Sequence, residues 1–230
     1  VILANDNEAT KNPAKAKGAE KDRTPLRIKL SGPNVRVRAA PPFHDMRGRL
    51  LLRGDKILDA QMSGRPGGGE IAEFRLSPNG NLLVTAGDAG ALLHTLGLPG
   101  RLDGGRLELK GTAAADMSSI DANLQVSSFK LVEAPVMMRV LQLASITGPL
   151  ELLAGSRGLQ MTAIEAPFTL KNKRLTVKNG RTYGGALGVT FRGHMDIARQ
   201  TLDFNGAVVP VYVLNSLLSA VPLVGDMLTG

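Results

Sequence analysis

Apolar and polar residues alternate one by one along most of the chain from residue 26 onward. In PLRIKL (25–30), Leu26, Ile28 and Leu30 fall on one side and charged residues on the other. The longest such stretch is ALGVTFRGHMDI (186–197). A period of two is typical of a β-strand with one buried face, because successive side chains point to opposite sides. The fold is therefore expected to be built from sheets that have one apolar face.

Short alternating strands closed by glycine recur along the sequence. Three of them are GRLLLRG (48–54), GRLELKG (105–111) and KRLTVKNG (173–180). The same pattern predicts strands near 56–63, 70–77, 80–86, 119–131, 160–171 and 200–209. Turn signals such as RPGGG and PNG separate several of them. We predict a mainly β fold, a long curved antiparallel sheet of ten or more strands with one polar and one aliphatic face.

The helices predicted from the sequence are few, short and apolar. Asp88 can cap a helix that runs to Leu96 and stops at Gly97. Proline is favoured as the first residue of a helix, which predicts short helices at 135–144, 149–155, 210–220 and 222–228. Residues 206–230 carry only one charge, but Pro210 and Pro222 cut them into pieces too short for the roughly 20 apolar residues of a membrane span. We expect these helices to pack on the sheet.

The first part of the chain differs in character from the rest. Residues 5–24 are polar and without periodicity, and we predict a flexible basic linker at 1–24 before a single domain at 25–230. Residues 1–38 hold nine Lys or Arg and four Asp or Glu, and the whole chain has a net charge of +8. This balance favours contact with anionic surfaces. No aromatic residues interleave with the basic ones as a nucleic-acid reader requires, so we predict no nucleic-acid partner.

The residue types that carry catalysis lack the spacing that catalysis needs. The chain has no cysteine, which excludes disulfides, thiolate metal sites and a cysteine nucleophile. His44, His94 and His194 are far apart and lack ligand spacing. Asp88 and His94 suggest acid–base work, but helix capping accounts for Asp88. We therefore predict no enzyme activity, no metal and no cofactor.

A series of apolar segments in the second half resembles the AsmA-like proteins of Gram-negative envelopes, above all their large YhdP-type members. The series runs from DAGALLHTLG (88–97) and GGRLELKG (104–111) to APVMMRVLQLASITGPLELLAG (134–155). It continues with APFTL (166–170), GRTYGGALGVTFRGHMDI (180–197) and LDFNGAVVPVYVLNSLLSAVPLVGDMLTG (202–230). The resemblance covers roughly residues 45–230.

The resemblance implies a taco-shaped periplasmic β-groove that carries phospholipid between the inner and outer membranes. It also implies an inner-membrane anchor upstream, further strands beyond both ends of this chain, and contact with outer-membrane or envelope proteins. The alternation alone favours half of a closed sandwich core instead. A further alternative is an envelope scaffold or assembly factor that uses the sheet as a protein-interaction surface.

The candidate lipid-contact residues share the apolar side of their predicted elements. We expect them to meet acyl chains along one continuous concave surface. They are Leu107, Leu109, Leu187, Val189, Phe191, Leu202 and Phe204 on strands, and Leu214 and Leu218 on a helix that covers one end of the groove.

Overall fold

A computed structural model describes residues 24–36, 40–98, 102–132, 158–185, 187–199 and 201–210. Eleven strands and one helix make up these residues. The strands are β1 (Leu26–Val35), β2 (Phe43–Arg53), β3 (Lys56–Pro66), β4 (Ala72–Leu76), β5 (Asn81–Ala86), β6 (Leu102–Ala113), β7 (Ser119–Leu131), β8 (Leu159–Lys171), β9 (Arg174–Gly184), β10 (Leu187–Asp196) and β11 (Thr201–Pro210).

The strands form one antiparallel sheet in which every strand pairs with its neighbours in the sequence, in the order β1 to β11. Tight turns join several of them. At the β8–β9 turn, Asn172 and Lys173 both adopt positive φ angles of 52° and 61°, the geometry of a two-residue hairpin. Among the described residues, β1 and β11 each pair with one neighbour only, so the sheet is open. The predicted mainly β fold with an antiparallel sheet of ten or more strands is confirmed.

The register of the strands gathers the apolar residues on one face of the sheet. Leu107 of β6 lies opposite Ala86 of β5 and Val126 of β7, and Val126 in turn lies opposite Ile164 of β8. Directly opposite residues in an antiparallel pair point to the same side. Apolar residues lie opposite one another in this way from β1, where Ile28 faces Leu50, to β11, where Val208 faces Val189. We call this side the apolar face and the other side the polar face.

The alternation is interrupted where the backbone is irregular. In β6 and β7, Gly105 and Ser128 have positive φ angles of 87° and 55°, and the apolar set shifts from Val126 to Phe129, three residues on. Register shifts also occur in β8, between its pairings at Met161 and Ala163. Such irregularities bend a strand and increase its twist, which favours a curved sheet over a flat one.

Helix α1 (Ala89–Thr95) follows β5 and packs against β6. The Asp88 side chain caps its first turn by accepting a hydrogen bond of 2.9 Å from the Ala91 N–H. The helix ends at Leu96, and Gly97 has a positive φ of 67°. Leu92 is buried against the apolar face. The predicted helix from Asp88 to Leu96, with its cap and stop, is confirmed.

The other predicted helices, at 135–144, 149–155, 210–220 and 222–228, lie outside the described residues except for Pro210. The prediction that Pro210 starts a helix is wrong, because Pro210 is the last residue of β11 and lies opposite Leu187. A proline is tolerated at an edge strand, where no ladder hydrogen bond is needed from its nitrogen. No helix within the described part of the chain is long and apolar enough to cross a membrane.

Candidate functional site

The apolar face surrounds a cavity of about 460 Å³ at the β7–β11 end of the sheet. Ten of the described residues that line the cavity are apolar, and no charged residue is among them. The apolar lining comprises Phe129, Leu131, Leu159, Met161, Ile164, Leu187, Val189, Phe191, Phe204 and Val208. The volume lies within the roughly 300–1,000 Å³ that is typical of small-molecule sites.

The cavity shows that this end of the sheet is concave on its apolar face. Phe129 of β7 and Phe204 of β11 both line the cavity, although four strand spacings, about 19 Å in a flat sheet, separate these strands. Side chains of a flat sheet stand parallel and enclose nothing between such distant strands. The sheet must therefore curl toward its apolar side, as a groove requires.

An aromatic pair forms part of the lining of the cavity. The ring of Phe191 on β10 and the ring of Phe204 on β11 are 6.3 Å apart and tilted by 54°, within the range of favourable aromatic contacts. Phe191 lies opposite Gly180 of β9, and its ring fills the space that a side chain at Gly180 would need. Gly180 thus allows the ring to lie close to the backbone.

All seven strand residues predicted to contact lipid lie on the apolar face, as their register shows. Leu187, Val189, Phe191 and Phe204 line the cavity. Leu107 and Leu109 lie farther along the face, among packed core residues. Leu202 is on the edge strand and is 65% exposed. The predicted helix residues Leu214 and Leu218 lie outside the described residues, and lipid contact of all nine stays a prediction.

The residues of β7 and β8 in the cavity were not among the predicted contacts. Phe129, Leu159 and Met161 are each less than 5% exposed and form one cluster with Leu187. Both strands were predicted from the sequence, but no face was assigned to them. The switch of alternation after Val126 in NLQVSSFKL and after Met161 in LQMTAIEAP is the signal that places these residues.

The polar face holds charge pairs and turn carboxylates. Arg181 of β9 lies opposite Glu165 of β8, and its Nε donates a hydrogen bond of 2.9 Å to Glu165 Oε2. In the β10–β11 turn, the pKa of Asp196 is lowered because the Arg199 N–H, and then the Ala198 N–H, donates to its carboxylate. The pKa of Asp116 is lowered in the same way by the side chain and N–H of Ser118.

The histidines and carboxylates of the described residues do not gather into a metal site, and a histidine–aspartate pair among them lies on the surface. No three His, Asp or Glu residues in the described ranges come together as a metal site. His194 Nε2 lies 4.0 Å from Asp203 Oδ2 on the polar face, and both side chains are exposed. This pair is a surface contact between neighbouring strands and lies away from the cavity.

No family model, no curated protein and no solved structure matches this chain. The resemblance to the AsmA-like proteins therefore rests on the order of the apolar segments. The structure itself defines an open, one-sheet β protein whose apolar face surrounds a cavity at one end.

Proposed function

We propose that the chain is a lipid-binding segment of a periplasmic, bridge-like phospholipid transport protein that links the inner and outer membranes and supports outer-membrane integrity. The observation that carries the proposal is the cavity on the apolar face, which has an uncharged lining from five consecutive strands. The resemblance to the AsmA-like proteins adds the periplasmic location and the inner-membrane anchor upstream.

An acyl chain is the ligand that fits the lining best. An apolar cavity offers water no hydrogen-bond partners and binds apolar molecules instead. Aliphatic side chains and Met161 adapt to a flexible chain of variable shape, while the polar headgroup can remain in water at the open side. Thr182, which lies opposite Ile164 and Val189 on the apolar face, also lines the cavity and can meet the ester region.

The apolar face continues from strand to strand, and a continuous apolar surface suits a protein that moves lipid along itself better than one that holds a single lipid in place. Eleven strands at about 4.8 Å spacing extend this face for about 50 Å across the sheet. A lipid that moves from strand to strand across β7 to β11 would keep its acyl chains against the apolar side chains of the cavity. The route runs perpendicular to the strands, in the direction in which further strands would lengthen it.

Site-specific photo-crosslinking tests this proposal with neighbouring residues on opposite faces. Ile164 lines the cavity, whereas Ala163 lies opposite the polar-face residues Ser127 and Tyr183. A photoreactive amino acid at Ile164 should capture phospholipid from the envelope, and the same residue at Ala163 should not. Equal capture at the two positions, or none at Ile164, would contradict the proposal.

A protein scaffold is the second candidate, and the edge strands favour it. Leu26 on β1 is 59% exposed and Leu202 on β11 is 65% exposed, and each strand has one edge unpaired within the described residues. Such edges accept an added strand from a partner. Native mass spectrometry after gentle extraction separates the two functions, because bound phospholipid supports the conduit and a bound protein without lipid supports the scaffold.

A further inference from the structure

The polar face of β1 and β2 carries an unusual concentration of positive charge. Arg27, Lys29, Arg47 and Arg49 all project from this face and are exposed. We call these four residues the basic patch. Lys29 lies directly opposite Arg49, so that their Cβ atoms are about 5 Å apart. Two like charges in this position repel each other and destabilise the pair of strands.

Little negative charge compensates the basic patch. The Asp59 carboxylate lies 4.0 Å from Arg49 Nε, and the Arg49 side chain is still 66% exposed. Arg27, Lys29 and Arg47 form no ion pair within the ranges that the structure describes. The basic patch therefore leaves a net positive surface on one edge of the sheet.

Elsewhere on the polar face, several charged residues lie opposite charges of the other sign, and like-charged pairs occur beside two turns, at Arg53–Lys56 and Lys171–Arg174. Glu165 pairs with Arg181, Asp196 lies opposite Arg174, and Asp103 lies opposite Lys130. The sheet can thus place complementary charges across its strands. The like-charged pair Lys29 and Arg49 lies within its two strands rather than beside a turn, and binding an anionic surface would reduce the repulsion.

We propose that the basic patch docks the protein on the anionic phospholipid headgroups of a membrane surface. Basic residues near a bilayer are attracted by its negative surface potential, and the four lie together on one face of two adjacent strands. The basic patch contains no aromatic residue on which a base could stack, which argues against a nucleic acid. Because it lies on the polar face, docking leaves the apolar face free, and the inference does not rest on the groove holding lipid.

Vesicle co-sedimentation of the full chain tests the docking. The wild type should bind vesicles of phosphatidylcholine with phosphatidylglycerol, and binding should weaken as salt is added. The variant K29Q/R47Q/R49Q should lose about one to two orders of magnitude in apparent affinity, since each basic residue near the surface contributes about a factor of five.

The matched control is R75Q/K110Q/K130Q, which removes three positive charges from other strands of the polar face. It should bind nearly as well as the wild type. Equal loss in both variants would show that only net charge matters and would overturn the proposal. So would equal binding to pure phosphatidylcholine vesicles, or tighter binding of an oligonucleotide than of anionic vesicles.

The single variant K29Q, measured for both melting temperature and vesicle binding, separates loss of docking from misfolding of the triple variant. The single variant K29Q should keep or raise the melting temperature, because it relieves the repulsion from Arg49, while it weakens vesicle binding severalfold. Unchanged vesicle binding in K29Q together with a lower melting temperature would contradict the docking role. Lipid capture at Ile164 should be the same in all these variants, so failure here and failure of the groove are distinguishable.

Discussion

Two parts of the apolar face have the same alternating pattern but differ in how they are filled. In the closed part, on β3 to β6, Ala60, Leu76, Leu82 and Ala113 are all buried and form one cluster. In the open part, on β7 to β11, the side chains surround a cavity of about 460 Å³. Alternation thus decides which side of a sheet is apolar, whereas curvature and side-chain size decide whether that side becomes a core or a groove.

The largest effect expected from this difference concerns stability. Leu76 is 1% exposed in the closed part, and Leu76→Ala should lower the free energy of unfolding by about 2–5 kcal/mol because it leaves a cavity. Leu202→Ala, at a side chain that is 65% exposed, should change it by less than about 0.5 kcal/mol. Urea denaturation measures both, and equal losses would show that the two parts do not differ.

Replacing a valine by the larger phenylalanine should cost stability in the closed part, where the side chains are packed, and little in the open part, where the cavity has room. Val84 packs in the closed part opposite Phe74 and Leu109, so Val84→Phe should cost about 1–3 kcal/mol through overpacking. Val189 lines the cavity, so Val189→Phe should cost little and should reduce lipid capture at Ile164. A stability loss as large at Val189 as at Val84 would mean that the cavity is closed to larger side chains.

Glycine-to-alanine changes should also cost more stability in the closed part than in the open part, with a smaller difference between the two. At Gly111 of β6 an added Cβ would overlap the Asp121 carbonyl oxygen and Ala122, which belong to the neighbouring strand. At Gly180 the atoms nearest to an added Cβ belong to the Phe191 ring, which lines the cavity and can turn into it. Gly111→Ala should cost about 1–3 kcal/mol, and Gly180→Ala less than about 1 kcal/mol. The reverse order in thermal denaturation would contradict a mobile ring.

The turns of the two parts should behave alike, with the smallest effect of all. The pKa values of Asp116 in the β6–β7 turn and of Asp196 in the β10–β11 turn are both lowered from 3.8. A lowered pKa in the folded state contributes stability above the unfolded pKa and loses it as the pH falls through the folded value. Asp116→Asn and Asp196→Asn should each reduce stability slightly at neutral pH and not at all in strong acid. A pH-independent effect in denaturation curves would contradict a stabilising role of the two turn carboxylates as hydrogen-bond acceptors.

The strands could be predicted from the sequence because each is long enough to show its own alternation. In β10, Leu187, Val189 and Phe191 fix the apolar side without any knowledge of neighbours. The sequence shows the shift of the apolar side in β7 only as a break in the alternation after Val126. The positive φ at Ser128 that accompanies the shift is known only from the structure. The cavity depends on how five strands curl together, and the basic patch on the register that sets Lys29 opposite Arg49. Both features depend on how separate strands are placed relative to one another, and the sequence of a single strand does not give this placement.

Methyl NMR during a titration with a short-chain phospholipid tests the central claim most directly. Val208 lies on the apolar face of β11 and lines the cavity, whereas its neighbour Val209 is 38% exposed on the polar face. Saturable shifts are expected for the methyl groups of Ile164, Leu187 and Val208, with none for Val209 or for Leu76 and Leu82 in the closed part. Shifts of equal size on both faces, or no shift around the cavity, would contradict a lipid-binding groove.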